Sequence, residues 1–243
     1  MRLKLISCEV LFREMCDACA HTPNQVDVEF LPKGLHDMGS KGMLQNLQHA
    51  VDATPQSSYE AILLGYGLCG NGLDGLTARH TRLVLPRAHD CIALLMGSVE
   101  CHQRYFENNP GTYYRSTGWL ERGRDLRQLN PHPMGFDESL EAMIKKYGED
   151  NGRYLFEELT RYQQQYRKLA FLESGLEADG AFAAEAAAEA SSKGWTFERL
   201  PADLSWVRRM LDGKWDGAEF VVAEPGQRIA ACYDGSIVQV KPA

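Results

Sequence analysis

Apolar runs alternate with amphipathic stretches through the first half of the chain, a pattern typical of α/β proteins. The runs that predict strands span residues 2–10, 26–31, 59–64 and 82–85. The stretches between and after them, with apolar residues every three or four positions, predict helices over residues 12–20, 40–53 and 92–106. Strands that alternate with helices are joined by right-handed crossovers, so we expect a parallel sheet.

The second half begins with a helical pattern over residues 137–173, read as two helices that pack on the sheet or cap it. A helix over 181–193, a strand over 195–200, a helix over 204–211 and a strand over 219–222 then follow and are expected to extend the sheet. The predicted fold is a Rossmann-like open parallel sheet with helices on both faces and a helical insertion or cap in the C-terminal half. Residues 1–130 form the α/β half that carries the site, and residues 131–243 complete the same domain.

Composition narrows the class of protein. Hydrophobic residues make up 44% and charged residues 24% of the 243 positions, which predicts a folded chain throughout. A net charge of −7 argues against a general nucleic-acid binder. No apolar run reaches the roughly 18 residues that span a bilayer. Seven cysteines without a secretory signal indicate reduced thiols, so we expect a cytoplasmic protein. We also expect a small-molecule substrate and no role at a membrane.

Soft metal ligands lie near or just after the carboxyl end of each of the first four predicted strands. They are Cys8, His36, Cys69, and the pair His89 and Cys91. The carboxyl ends of parallel strands meet at one edge of a sheet, where ligands bind. Thiolate and imidazole groups suit zinc or iron. The sequence therefore predicts a metal centre of Cys8, Cys69 and Cys91 with His36 or His89 completing or flanking it, loaded with zinc or with a [4Fe-4S] cluster that keeps one iron free.

Carboxylates stand next to both histidines. Asp37 follows His36, and Asp90 follows His89. A carboxylate there can orient an imidazole or act as a general base, so Asp90, His89 and Asp37 are the candidate catalytic residues.

A glycine-rich segment surrounds Cys69. Its spacing, with Gly67 and Gly70 after a predicted strand, matches the dinucleotide fingerprint, but a cysteine lies inside it and no matching acidic residue follows. We interpret the two glycines as cofactor-binding residues that let the backbone turn around the thiol and donate N–H groups to an anionic ligand. Arg87 is a candidate anion clamp in the next loop.

Cys16 and Cys19 form a C-x-x-C on a predicted helix, which suggests a redox motif or half of a zinc site. There is no second C-x-x-C, so we favour thiols on a helix face without a redox or metal role.

Four sequence blocks carry a family resemblance. They are Gly-Leu-His-Asp (34–37), Gly-Tyr-Gly-Leu-Cys-Gly-Asn-Gly (65–72), Pro-Arg-Ala-His-Asp-Cys (86–91) with Gly-Ser (97–98), and Pro-Gly-Thr-Tyr-Tyr (110–114). In this order they resemble the bacterial and archaeal domain of unknown function numbered 1638, over most of the chain. Members of that family often accompany corrinoid methyltransferase systems, so the resemblance implies a corrinoid protein as a partner.

The leading hypothesis is a metal-dependent enzyme or accessory protein of one-carbon or sulfur metabolism, in which a zinc–thiolate centre assists methyl transfer linked to a corrinoid system. One alternative is a [4Fe-4S] enzyme of the desulfidase or lyase type. Another is a non-catalytic partner of a corrinoid protein. A third is a nucleotide- or S-adenosylmethionine-binding enzyme that uses the glycine loop.

Overall fold

The computed structural model describes residues 1–122, 140–160 and 165–243. The strands are β1 (Arg2–Cys8), β2 (Gln25–Leu31), β3 (Ala61–Gly65), β4 (Leu83–Pro86), β5 (Thr112–Ser116), β6 (Lys168–Glu173), β7 (Thr196–Pro201), β8 (Phe220–Ala223), β9 (Gln227–Ala231) and β10 (Val238–Pro242). The helices are α1 (Phe12–His21), α2 (Gly39–Asp52), α3 (Cys91–Leu95), α4 (Val99–Asn108), α5 (Thr117–Glu121), α6 (Leu140–Tyr147), α7 (Glu149–Thr160), α8 (Ala181–Ser192) and α9 (Ser205–Leu211). Two short 3-10 segments, Glu9–Leu11 and Lys33–Met38, follow β1 and β2.

The main sheet has five strands in the order β2-β1-β3-β4-β8, of which the first four are parallel. All residues of β3 and β4 are buried, as expected for central strands covered on both faces. Helices flank the sheet, which confirms a Rossmann-like α/β fold. Register aligns Cys8 with Leu31 and Ser7 with Gly65, so the carboxyl ends of β1, β2 and β3 lie level at one edge.

A second sheet of three parallel strands, in the order β5-β6-β7, has a small core of its own around Phe171 and the alanines of α8. Strand β6 lies inside the range 137–173, for which the sequence predicted helix, and that part of the prediction is wrong. The reason is that residues 169–172 are all buried. A short run that is apolar on every face has no period by which a strand can be told from a helix. Helices α6 and α7 agree with the prediction, while residues 123–139 and 161–164 lie outside the described part of the chain.

The C-terminal strands do not all extend the main sheet. Strand β7 pairs with β6 in the second sheet, and β8 returns to pair with β4 in the antiparallel direction. The hairpin of β9 and β10, which the sequence analysis did not predict, follows β8. The chain therefore leaves the main sheet after β4 and comes back to it at β8.

The helix predicted over residues 92–106 is two helices. Helix α3 ends at Leu95 and α4 begins at Val99. Between them Gly97 has a left-handed φ of 78°, and the Ser98 hydroxyl accepts a hydrogen bond from the Cys101 N–H at 3.1 Å. A left-handed glycine followed by a capping serine ends one helix and starts another, which the apolar spacing alone does not reveal.

Candidate metal centre

The three predicted thiol ligands lie in the loops at the carboxyl edge of the main sheet. Cys8 is the last residue of β1, Cys69 follows β3 by four residues, and Cys91 is the first residue of α3, after β4. Two backbone hydrogen bonds of 2.8 Å join the last two loops, from the Leu68 N–H to the Ala88 carbonyl and from the Cys69 N–H to the His89 carbonyl. The parallel topology thus brings residues far apart in sequence to one edge.

Gly67 explains how closely these two loops pack. A Cβ atom at Gly67 would lie 2.5 Å from the Asp90 backbone nitrogen, so only glycine fits there. Next along the loop, Cys69, Gly70 and Asn71 all have left-handed backbone, with φ of 48°, 64° and 65°. These residues make a tight turn around the thiol, in agreement with our interpretation of the glycine-rich segment.

Burial and nearby charges shift the pKa values of the three thiols. Burial raises the pKa of Cys8, which is 1% exposed, to about 12. Burial also raises the pKa of Cys69 and Cys91 well above the usual range; the charge of Cys8 raises both further, and the charge of Cys69 adds to the shift of Cys91. Without a nearby cation all three thiols are therefore protonated at neutral pH.

Hydrogen-bond donors face these sulfurs. The Val10 backbone N–H lowers the pKa of Cys8, in part offsetting burial, and the N–H groups of Gly67 and Cys91 do the same for Cys69. The indole N–H of Trp119 also lowers the pKa of Cys91, although this buried nitrogen makes no hydrogen bond of normal geometry within the described ranges. Donors placed in this way stabilise thiolates, as the outer shell of a metal site does.

His36 lies beside Cys8. The 3-10 segment Lys33–Met38 carries the imidazole, whose Nε2 is 3.7 Å from the Cys8 Sγ. Burial lowers the pKa of His36, against the charge of Asp37, which raises it, so the ring is neutral at neutral pH and able to bind a metal. A sulfur at about 2.3 Å and a nitrogen at about 2.0 Å from one tetrahedral zinc lie roughly 3.5 Å apart. The Cys8–His36 separation fits that geometry.

Among the residues that the structure describes, no three His, Cys, Asp or Glu side chains are arranged to hold a metal ion as they stand. Binding one ion at this edge would therefore require side chains to move from the positions that they have here.

The sequence of the chain matches the family described as "protein of unknown function (DUF1638)" over residues 30–211, which is most of its length. The chain belongs to this family. Of the site residues, His36, Cys69 and Cys91 lie inside the part matched to DUF1638, whereas Cys8 precedes it. Comparisons with curated proteins and with solved structures found no match. Across the described ranges, no helix combines the length and the apolar character needed to cross a bilayer.

The acidic and imidazole candidates of this DUF1638 chain differ in what they contact. His89 and Asp37 are exposed. Asp90 is the N-cap of α3, where its Oδ1 accepts hydrogen bonds from the N–H groups of Ile92 at 3.0 Å and Ala93 at 3.1 Å. The Asp90 charge also raises the pKa of Cys69 and Cys91, so this carboxylate acts on the site electrostatically while it caps the helix.

Loss of this cap should be measurable. We expect Asp90→Ala to lower the free energy of unfolding by about 1 kcal/mol, because two backbone N–H groups lose their acceptor. Denaturant unfolding measures this change. Asp90→Ser, which retains a capping oxygen, is the control and should stay near wild type. Equal losses in both variants would mean that the carboxylate charge, and not the cap, is what matters.

Arg87 faces the C-terminal hairpin. Its guanidinium donates to the carbonyl oxygens of Gly217 at 2.8 Å, Ser236 at 3.1 Å and Val238. These hydrogen bonds connect the segments next to β8 and β10 with the loop that follows β4. The anion-clamp role stays a prediction, but most of the donors of Arg87 are already engaged by the protein itself.

We expect Arg87→Met to lower the free energy of unfolding by about 1 to 2 kcal/mol, because the charged donors of a half-buried side chain are lost. The matched control is Arg82→Met. Arg82 makes one ion pair, with Glu224 at 3.6 Å, and both side chains are about half exposed, so its loss should cost under about 0.5 kcal/mol. Thermal and denaturant unfolding of the two variants would contradict the structural role if their losses were the same.

Lys33 was not among the predicted site residues. It is 7% exposed, and burial lowers its pKa to about 8, helped by the charge of Arg115, while charges on Asp37, Cys8 and Cys91 raise it. The sequence did hold a signal, because Lys33 comes just after β2, at the same edge of the sheet as the predicted ligands. An ammonium group is not a soft metal donor, so the metal-ligand pattern did not include it.

Cys16 and Cys19 lie half-buried on α1. Burial raises the pKa of both thiols, and the charge of Cys16 adds to the shift that brings Cys19 to about 11. The charges that shift these two thiols are those of Glu14, Arg122 and Cys16, and none belongs to the thiols at the sheet edge. This placement is consistent with helix-face thiols.

Proposed function

We propose that this protein is a metal-dependent enzyme in which Cys8, Cys69 and Cys91 hold a zinc ion, with His36 completing or flanking the site. The observation that carries the proposal is that thiols after three parallel strands meet at one sheet edge, where a charge on one raises the pKa of its neighbours. A divalent cation bound there would lower the pKa of all three thiols, because its charge stabilises each thiolate.

The donor set favours zinc. Three thiolates and a neutral imidazole are ligands that zinc prefers, and the 3.7 Å between the Cys8 Sγ and the His36 Nε2 suits two ligands of one ion. The N–H groups of Val10, Gly67 and Trp119 would hold the thiolates in place and spread their charge.

Zinc bound there would lower the pKa of a substrate thiol or water and so prepare a nucleophile, which suits methyl transfer to sulfur. The chain's own part is to bind and orient that substrate next to buried thiolates and to exclude bulk water, which strengthens electrostatic interactions in the site. The link to a corrinoid system belongs to the proposal and is supported by the family resemblance.

A [4Fe-4S] cluster is the second candidate. Three cysteines without a fourth leave one iron open for a substrate, and a cluster attaches its thiolates to separate irons. It is favoured by the finding that, within the described residues, no three such side chains already stand ready for a single ion. The chemistry would then be sulfur removal or a lyase reaction.

Metal analysis of the anaerobically purified protein decides between the two. We expect a colourless protein with about one zinc per chain, as a mononuclear site requires. A brown protein with iron and acid-labile sulfide in near-stoichiometric amounts would establish the cluster instead. A protein that takes up neither zinc nor iron on reconstitution would contradict both candidates.

A non-catalytic role beside a corrinoid protein makes a different prediction. A pull-down with that partner should then be unaffected by Cys69→Ala, whereas an enzyme should lose turnover in the same variant.

A further inference from the structure

Lys33 is a largely buried cation. It is 7% exposed, and across the described residues no ion pair or hydrogen bond of its Nζ is found, although that nitrogen is not among the fully buried polar atoms. The Lys33 backbone N–H donates a hydrogen bond of 2.8 Å to the Glu9 carboxylate. Burying an ammonium group is costly unless a partner compensates for the lost water, so this one calls for an anionic ligand.

Trp119 interacts both with Lys33 and with the thiol centre. The Lys33 Nζ lies 4.0 Å from the centre of the Trp119 ring, a cation–π contact, and the indole N–H of the same ring lowers the pKa of Cys91. Lys33 also interacts electrostatically with Cys8 and Cys91. The ammonium group is thus fixed on an aromatic surface directly beside the proposed ligands.

Two buried hydroxyl groups next to the same centre lack partners. Neither the Tyr66 nor the Tyr114 hydroxyl has a hydrogen-bond partner within the described ranges, and Tyr66 is 1% exposed. Charges on Cys8 and Cys69 act on Tyr66, and the charge of Asp90 acts on Tyr114. Buried hydroxyls are nearly always paired in folded proteins, so unpaired ones near the thiol centre favour a ligand that accepts hydrogen bonds.

We propose that Lys33, together with the Tyr66 hydroxyl, binds an oxyanion of the substrate, so that the substrate is a small molecule with a carboxylate or phosphate group near its reacting thiol. The argument for the anion comes from Lys33 and the hydroxyls alone, and the reacting thiol rests on the proposed zinc function. An ammonium group and hydroxyl donors recognise such an anion by charge-assisted hydrogen bonds. A neutral or cationic substrate would leave the Lys33 charge without a partner.

A charge series of small thiols tests the inference. The protein is loaded with Co²⁺ in place of zinc and titrated with 3-mercaptopropionate (anionic), 2-mercaptoethanol (neutral) and cysteamine (cationic). The change in the sulfur-to-cobalt charge-transfer absorption band gives the dissociation constant of each thiol. We expect the anionic thiol to bind about tenfold or more tightly than the neutral one, the effect of one charge-assisted hydrogen bond, and the cationic thiol to bind most weakly. Inorganic phosphate and propionate are then compared as competitors, to distinguish a phosphate from a carboxylate subsite.

Lys33→Met should abolish the preference for the anionic thiol, while the neutral thiol should bind the Co²⁺-loaded variant as tightly as it binds the wild type. Lys41→Met, at an exposed position on α2, is the matched control and should bind like wild type. Tyr66→Phe, which keeps the ring, should weaken only the anionic thiol and serves if Lys33→Met does not fold. A preference that survives in Lys33→Met overturns the inference. So does an equal loss for all three thiols, because Lys33 would then only balance the charge of the metal thiolates.

The proposed zinc function and the proposed anion subsite can be disproved independently of each other. If the protein binds no metal, the zinc function is wrong, and the anion subsite is tested by calorimetric titration of the metal-free protein with 3-mercaptopropionate and 2-mercaptoethanol. Tighter binding of the anion that disappears in Lys33→Met supports the subsite. Absence of anion binding overturns it.

Discussion

Replacing Cys69 with alanine should abolish metal binding at the proposed centre and with it all metal-dependent activity. The charge of Cys8 acts on Cys69, the charge of Cys69 acts on Cys91, and backbone N–H groups of Gly67 and Cys91 lower the pKa of Cys69. Since removing even an outer-shell partner commonly costs about 10- to 100-fold in metal affinity, loss of a direct ligand should cost more than about 100-fold. Competition with a chromophoric chelator measures the affinity, and elemental analysis measures the metal retained after gel filtration.

Cys232→Ala is the control for this experiment, because Cys232 lies between β9 and β10 and outside the proposed ligand set. It should retain the metal at wild-type stoichiometry. If Cys69→Ala also retains it, Cys69 is not a ligand and the proposed centre is wrong.

Gly67→Ala should cause the largest loss of stability of the substitutions considered. Its new Cβ would lie between 2.5 and 2.8 Å from three backbone atoms of Asp90, and backbone cannot move aside as a flexible side chain does. The two loops that carry Cys69 and Cys91 would be forced apart. We expect a loss of about 3 kcal/mol or more in the free energy of unfolding, at the upper end for overpacked sites, together with weaker metal binding.

Gly70→Ala separates this steric effect from backbone strain. Gly70 has a left-handed φ of 64°, but a Cβ there would meet no atom within 4 Å. Its substitution should therefore cost only the strain of the left-handed backbone, about 1 kcal/mol. Denaturant unfolding of both variants gives the comparison, and similar losses would show that the close approach to Asp90 does not limit packing.

The first four strands of the fold could be predicted from sequence because their signals are local. Each is a short apolar run followed by turn residues and a helix with regular spacing, and the observed bounds of β1 to β4 differ from the predicted ones by a few residues. The placement of Cys8, Cys69 and Cys91 followed from a topological rule and needed no knowledge of side chains. The electrostatic coupling of these thiols agrees with that placement.

Other features depend on contacts between distant residues and could not be predicted in the same way. Nothing local in the sequence of β7 shows that it joins β6 in a second sheet while β8 returns to the first. The burial of Lys33 likewise depends on Trp119, which lies on α5 more than 80 residues later in the sequence. The capping role of Asp90 could not be predicted either, because the sequence does not reveal that its oxygen caps α3, and its catalytic role stays a prediction.

The return of β8 to the main sheet restricts how this protein can be divided for experiments. Because β8 covers the outer side of β4, a fragment that stops after the second sheet would expose four residues of unpaired backbone on a fully buried strand. Uncovered edges of this kind promote aggregation. Fragments that contain all three thiols but end before Phe220 should therefore be insoluble, and fusion partners belong beyond the β9–β10 hairpin.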